Sequence, residues 1–502
     1  MKRTFKYISP LLLLLMAIAG CKKSYLETVP SNGVTKETLF TSYLGISSAL
    51  QGIYKEQFQF GIAGSTGHDN FGQKALDLSA DLMGNDMIVH TAGYGWFNRD
   101  YNYSEQGVAT AGRRSDIAWY LYYDIIKQAN NIIKNVDGVG DATQAQKDDV
   151  KGQALGLRAY AYYNLVNWFQ QTYKGNESKP GVPIYNESST VAEIQSGKPR
   201  ATVQEVYNQI VADLTLAETL MTGKTQALKS NIDIHVVQGL RARTALIMED
   251  WATAASEANK ARQGYTLMDS TEYVALSAFS SVKSKEWMWG SIIPADQATT
   301  YASFFSHMDI RTGGYAALGN QKKITKALYD QIAKGDARKT VFRIPTSTST
   351  SNPPYNQLKF QVPDASKKWE ADYLYMRASE MYLIEAEALA RQGQDAQAQS
   401  VLETLVKARY PAYSAAGLSG IDLLNEILLQ RRIELWGEGF SLFDIKRLKT
   451  GLNRPTGTGN HGAPSFDPGV YTMPDADPRF LLRIPQRELD NNLSMSPADQ
   501  NP

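Results

Sequence analysis

Apolar residues recur along this 502-residue chain at helical spacing. Ala154, Leu157, Ala161, Leu165 and Trp168 stand at offsets of 0, 3, 7, 11 and 14, one face of a helix. A second segment, IHVVQGLRARTALIMEDWATAASEANKARQ from Ile234, is rich in Ala and Leu. Its break at Glu249-Asp250 predicts two antiparallel helices. A third, YLYMRASEMYLIEAEALARQGQDAQAQSVLETLVKARY from Tyr373, repeats the design with a turn at Gln392-Gly393-Gln394-Asp395. Small alanines stand where paired helices would touch, with large apolar residues a turn away. Units near 115–172, 202–262 and 373–410 predict an all-α fold of stacked, tetratricopeptide-like helix pairs, without a strict period of about 34 residues.

Between these units the pattern is lost. Residues 60–113, 280–320, 340–370 and 450–480 mix Gly, Pro, Asn and Asp with aromatic residues and read as irregular. Long irregular stretches in a compact body are functional or disordered, and the aromatic residues argue against disorder.

The N-terminus is patterned differently. Lys2, Arg3 and Lys6 precede the apolar run Leu11–Ala19, which closes on small residues. This is an export signal over residues 1–20, too short for the roughly 20 apolar residues of a membrane span. Cys21, the only cysteine, follows directly, so an intramolecular disulfide is excluded. Ile18-Ala19-Gly20-Cys21 resembles the lipobox of bacterial lipoproteins, which implies that the Cys21 thiol carries a lipid anchor. Two or more acyl chains, at ~0.8 kcal/mol per buried methylene, hold firmly where one does not.

Charge adds an exclusion. Lys plus Arg is 52 and Asp plus Glu is 51, so no basic excess favours nucleic acid or an anionic membrane surface. Tyr (28) outnumbers Phe (16), which suits sugar stacking and half-buried helix surfaces equally.

Several blocks stand out together. They are LRAYAYYNLVNWFQ from Leu157, and Arg377, Glu380, Tyr382, Leu383, Ala386, Glu387 and Ala388 within YLYMRASEMYLIEAEALARQG. QRRIELWGEGFSLFDIKRL from Gln430 and the terminal RIPQRELDNNLSMSPADQNP, with Glu488 and Asn492, complete the set in order along the chain. Together they resemble the SusD/RagB family of outer-membrane lipoproteins. Gln430 and Ser441 depart from the family pattern, which often has Glu and Arg there, and this puts the ion-pair network near Glu438 and Asp444 in question. The resemblance implies helix pairs in a right-handed superhelix with a long loop-rich ligand-binding region. It implies one body over 21–502, with an N-terminal part to about 230 and a C-terminal part from about 231. It further implies a cell-surface protein of the outer membrane that captures nutrient, commonly glycan, for a TonB-dependent SusC-like transporter. Neither catalysis nor a cofactor belongs to that role.

Few side chains carry a chemical signature of their own. Arg377, Glu380, Glu385, Glu387, Glu434, Glu438 and Asp444 read as helix ion pairs, since no neighbouring pattern specifies an acid and a base. Gly457 to Gly462 fits G-x-G-x-x-G but follows no apolar strand and opens no helix. The five histidines show no metal-ligand spacing, and Asp77, Asp81 and Asp86 lack an EF-hand pattern. The loops are the stronger candidates. Tyr94, Trp96, Phe97, Tyr101 and Tyr103 crowd one Gly-flanked stretch, and YASFFSHMDIRTGGY from Tyr301 forms another. Either these rings pack inward or some line a face where sugars stack. Asp81, Trp96, Tyr101, Arg311 and Tyr315 are the expected ligand-binding residues. Two alternatives stand beside glycan capture: a tetratricopeptide adaptor binding peptide in a helical groove, and a helical-barrel glycoside hydrolase with two carboxylates ~5–9.5 Å apart.

Overall fold

The computed structural model describes residues 39–105, 113–225, 228–299 and 301–502; the signal segment and Cys21 lie outside the described residues. The principal helices are α1 (Tyr43–Glu56), α2 (Gln73–Leu82), α3 (Arg113–Asn135), α4 (Gln144–Phe169), α5 (Val203–Leu220), α6 (Ile234–Met248) and α7 (Trp251–Ala261). They are followed by α8 (Ala378–Arg391), α9 (Asp395–Arg409), α10 (Gly420–Glu434) and α11 (Ser441–Leu448). Helices α3 to α7 each pack on the next, α7 packs on α8, and α8 receives both α9 and α10. The tetratricopeptide-like stack is therefore continuous through the long sequence gap between α7 and α8.

Local chemistry sets the helix ends. Thr143 and Gln146 form a capping box at the start of α4, as Thr202 and Glu205 do at α5. Asp233 and Asp250 cap α6 and α7, and Glu249 between them takes a left-handed φ of 60° that reverses the chain. Removing such a cap costs about 0.5–2 kcal/mol. Small residues permit close approach: a Cβ on Gly239 would lie 2.5 Å from the Met376 sulfur. One apolar core runs from Ile46 to Met495, with a smaller cluster around Leu383, Leu402 and Leu405.

Two segments differ from the sequence expectation. Tyr373–Arg377, read as the start of a helix, is a strand paired antiparallel with Trp287–Ser291. All of its residues are buried, so no amphipathic face exists for a helix to present, and large flat side chains favour the extended pairing. Helix α8 begins only at Ala378, after an extended Arg377 with φ −143°. Conversely, α2 lies inside the stretch 60–113 that reads as irregular; its buried polar residues Gln73, Lys74, Ser79 and Asp81 hide the helical period. A second antiparallel pair, Met87–Val89 with Lys322–Ile324, joins the irregular stretch 60–113 to the segment that follows 280–320.

The charged motif residues are structural. Arg377 donates to Glu286 (2.8 Å), Glu434 (2.6 Å) and Glu438 (2.8 Å), while Arg409 bonds Glu286 and Glu434 from the other side. Lys359 bonds Glu438, and Arg338 bonds Asp336, Glu434 and Gln430. Arg243 forks onto Glu380, and Arg431 and Arg447 share Asp444. The ion pairs around Glu438 and Asp444 form despite the departures at Gln430 and Ser441. Gln430 serves as an acceptor for Arg338, and the Ser441 amide donates to Asp81.

Candidate functional site

The loop-borne rings assemble around His307. A carbonyl only accepts, so His307 Nε2 carries the proton donated to the His68 carbonyl at 2.8 Å. Burial drives its imidazole well below the ordinary value, so the ring is neutral. Tyr315 stacks on it at 4.9 Å between centroids, and Phe71 and Phe97 close its other sides. The Tyr315 hydroxyl in turn meets His68 Nδ1 at 2.5 Å. Loops from distant parts of the sequence are thus fixed to one another by a buried aromatic post.

On this post sits an outer layer of rings. Trp96 stacks on His68 at 5.3 Å, Tyr301 lies parallel to His68 at 6.2 Å, and Tyr94 meets Tyr315 edge-on at 5.3 Å. Trp369 backs Tyr301 at 5.5 Å, and the Arg113 guanidinium lies 5.3 Å from the Trp96 ring centre. Tyr94 is 69% exposed and Tyr301 39%, so the layer ends in solvent. Exposed rings held in place by buried ones are what a flat apolar sugar face requires.

The structure brings together some of the expected residues and separates others. Trp96 and Tyr315 belong to this cluster, but Tyr315 is only 6% exposed and forms its base, not its face. Tyr101 is fully buried: its hydroxyl bonds His461 Nδ1 at 2.7 Å and Arg454 covers its ring. The local cause is a left-handed Phe97, φ 64°, which starts the one-turn helix Asn98–Tyr101 and directs Phe97 and Tyr101 inward while Trp96 stays half-exposed. Asp81 is buried at the end of α2, where it accepts from the amides of Gly439 (2.8 Å) and Ser441 (3.1 Å). Burial raises its carboxyl to about 7. Arg311 forks onto Asp309 and reaches the Val362 carbonyl, so it braces its loop. His68 and Trp369 join this ring cluster with no local pattern to tie them to Trp96; only the fold does so.

A separate cleft of about 740 Å³ lies against α10 and α11, lined in part by Leu429, Arg432, Trp436 and Leu448. Three of the carboxylates that line it are engaged: Asp86 by Arg432, Asp444 by Arg431 and Arg447, Asp81 by backbone amides. It offers no free acid–base pair from these residues. Among the described residues no group of three or more His, Cys, Asp and Glu is placed to hold a metal ion, and Asp77 is bonded by Gln73 and Lys74. Among them, too, no helix is long and apolar enough to cross a membrane.

Comparison with known proteins agrees with this architecture. Residues 73–235 match a SusD-like family model described as "Starch-binding associating with outer membrane", and residues 311–502 match the SusD family model, SusD_RagB. "SusD-like protein P2" of Formosa agariphila is 26% identical over 541 aligned positions, covering 98% of this chain and 99% of its own. The crystal structure of a SusD-like carbohydrate binding protein from Bacteroides vulgatus superposes with a TM-score of 0.79 at 28% identity, covering 92% of this chain and 98% of that one. Surface glycan-binding protein A from Bacteroides thetaiotaomicron, solved with laminarihexaose, shares the fold at 16% identity and a TM-score of 0.69, over 92% of this chain and all of that one. This chain belongs to the SusD/RagB family, whose members bind carbohydrate in association with the outer membrane.

Proposed function

We propose that this chain captures glycan at the cell surface on its loop-borne ring face and delivers it to a partner TonB-dependent, SusC-like transporter. It binds without turning the ligand over, and a lipid on Cys21 anchors it to the outer membrane. The observation that carries this reading is the solvent-facing pair Tyr94 and Tyr301, seated on Tyr315, His68 and Trp369. Family membership, the outer-membrane description of its family model and the sugar-binding descriptions of its structural relatives support it. The bonding of Glu286, Glu434, Glu438 and Asp444 to buried arginines favours binding over hydrolysis, since a general acid or base must be free to exchange a proton.

The ring face is tested by substitution. Tyr301→Ala removes an exposed ring and is expected to weaken binding of the native glycan by about 1–3 kcal/mol, tenfold to a hundredfold, with an unchanged melting temperature. Calorimetry on the purified full-length chain reads the affinity. Normal affinity in a Tyr94→Ala/Tyr301→Ala double variant would sink the proposal. Tyr315→Ala is not an equivalent test, because that ring is buried and its loss destabilises the post.

The anchor is tested separately. Cys21→Ala is expected to move the protein from the membrane fraction to the soluble one and to abolish labelling by palmitate, because the chain has no other thiol. Persistent labelling of the variant would reject lipidation at Cys21. Detergent co-purification from native membranes is expected to bring down a large β-barrel protein, through an interface of more than ~2,000 Å². A monomeric protein from membranes in which that barrel is abundant would reject the partnership.

A further inference from the structure

One polar atom at the ring face has no partner among the described residues. His68 is half-exposed, and the rings of Phe60, Trp96, Tyr301 and Tyr315 stand 5.3–6.4 Å from it between centroids. Phe60 and Trp96 are half-exposed and Tyr301 is exposed, so the surroundings are apolar yet open to solvent. The His68 Nε2 bonds no described residue and is not sealed from water. His307 and His461 differ: each spends its Nε2 proton on a backbone carbonyl inside the protein.

The buried post decides what this nitrogen can do. The Tyr315 hydroxyl lies 2.5 Å from His68 Nδ1, the one acceptor within its hydrogen-bond reach among the described residues. Its proton therefore goes to Nδ1. A neutral imidazole carries a single proton, and acceptance at Nδ1 leaves that proton on Nε2. His68 thus offers the solvent an N–H and not a lone pair. Its backbone is fixed as well, because its carbonyl takes the His307 proton at 2.8 Å. These two anchors, His307 and Tyr315, lie 239 and 247 residues further along the chain.

A fixed donor among rings has a definite use. Stacking alone leaves a sugar free to slide and turn, because an aromatic face does not read where the hydroxyls point. One immobile N–H removes that freedom by requiring an oxygen of the ligand at a set place. A hydroxyl, the ring oxygen or the glycosidic oxygen can each accept it.

We propose that His68 is the orienting contact of the ring face, donating from Nε2 to an oxygen of a sugar stacked on Tyr301. The post of Tyr315 and His307 holds the imidazole in the tautomer and position this needs. This rests on the reading of the ring face as a glycan site. No proton is transferred to the ligand.

The probe is chosen first. In gels containing starch, laminarin, galactomannan, xylan, polygalacturonate or alginate, at least one polymer is expected to retard the full-length chain. Retardation by none rejects the ring face as a glycan site and this proposal with it. Oligosaccharides of the retarding polymer are then titrated by calorimetry, with melting temperatures measured alongside. His68→Phe/Tyr315→Phe removes a hydrogen-bonded pair together and keeps both rings, so no buried partner is stranded. It is expected to lose about tenfold in affinity or more, with melting close to that of the parent. Tyr315→Phe alone keeps the Nε2 donor and should bind nearly as the parent does. Equal losses in these two variants overturn the role of His68. Normal binding by the double variant, with Tyr301→Ala weakened, overturns it too and leaves the ring face standing. Normal binding by Tyr94→Ala/Tyr301→Ala overturns the ring face and this proposal together. A spectroscopic readout on the unaltered chain does not depend on how the variants fold. With isotope-labelled histidine, the His68 nitrogen signals, identified by their loss in His68→Gln, should show the proton on Nε2. That proton should shift on saturation with the oligosaccharide. A proton on Nδ1, or no shift at saturation, overturns the proposal.

Discussion

Arg377→Met is expected to destabilise the folded chain by about 3–5 kcal/mol, because it removes the one cation shared by the three buried carboxylates Glu286, Glu434 and Glu438 and leaves each only partly compensated. Arg377 is fully buried, and its guanidinium also donates to the Glu434 carbonyl at 2.7 Å, so every donor direction is used. Arg409 and Lys359 remain but cannot reach the vacated positions without leaving their own partners. Urea unfolding followed by circular dichroism measures the loss. Lys407→Met, which breaks an exposed pair with Glu403, is the control and should cost under about 1 kcal/mol. Equal effects from the two substitutions would contradict the account.

The same network sets the acid limit. Burial pushes Glu434 and Glu438 up, but the surrounding cations outweigh it and hold both below the usual carboxylate range. A depressed folded value means that stability is fully present above the unfolded value of about 4.3 and is lost as pH falls below it. Asp81 acts oppositely. Its folded value of about 7 lies above the unfolded one, so acidification from neutral toward pH 4 relieves a penalty there. The wild-type curve is therefore expected to hold or rise slightly to mild acid and then fall, and Arg377→Met should flatten the fall.

Gly439→Ala is the second large effect expected, about 2–6 kcal/mol. Gly439 has φ 95°, and a Cβ there would lie 2.7 Å from Asp77 Cβ and 2.8 Å from its Cα. Strain in that backbone region adds about 1–3 kcal/mol, and forcing a methyl into packed surroundings another 1–3. Relief would require α2 to retreat, yet α2 is bonded to this turn by Asp81 and the Gly439 amide at 2.8 Å. Gly393 separates the two contributions. It has φ 72°, and a methyl added there would meet nothing within 4 Å, so Gly393→Ala should show the backbone cost alone. Equal melting temperatures for the two variants would mean that the contact with Asp77 is easily relieved.

The helix pairs are legible in the sequence because their apolar residues keep one period: α6 and α7 meet at Glu249-Asp250 and α8 and α9 at Gly393, where the sequence places the breaks. Tyr373–Arg377 is not, since a run buried on both faces carries no period to distinguish strand from helix. At the candidate site, Trp96 and the segment from Tyr301 to Tyr315 are visible as rings on glycine-flanked loops. Which rings turn inward is not, because that depends on left-handed residues such as Phe97 and Tyr103.

The antiparallel pairing of Met87–Val89 with Lys322–Ile324 reaches beyond stability. Trp96 and Tyr94 ride on the first segment's continuation, Tyr301 and Tyr315 on the approach to the second. On the proposed reading of the ring face, exchanging one loop would leave the rings of the other in place, mismatched to the new half. Retargeting the scaffold would then require both segments, with the His68 and Trp369 rings that back them, to change as one module.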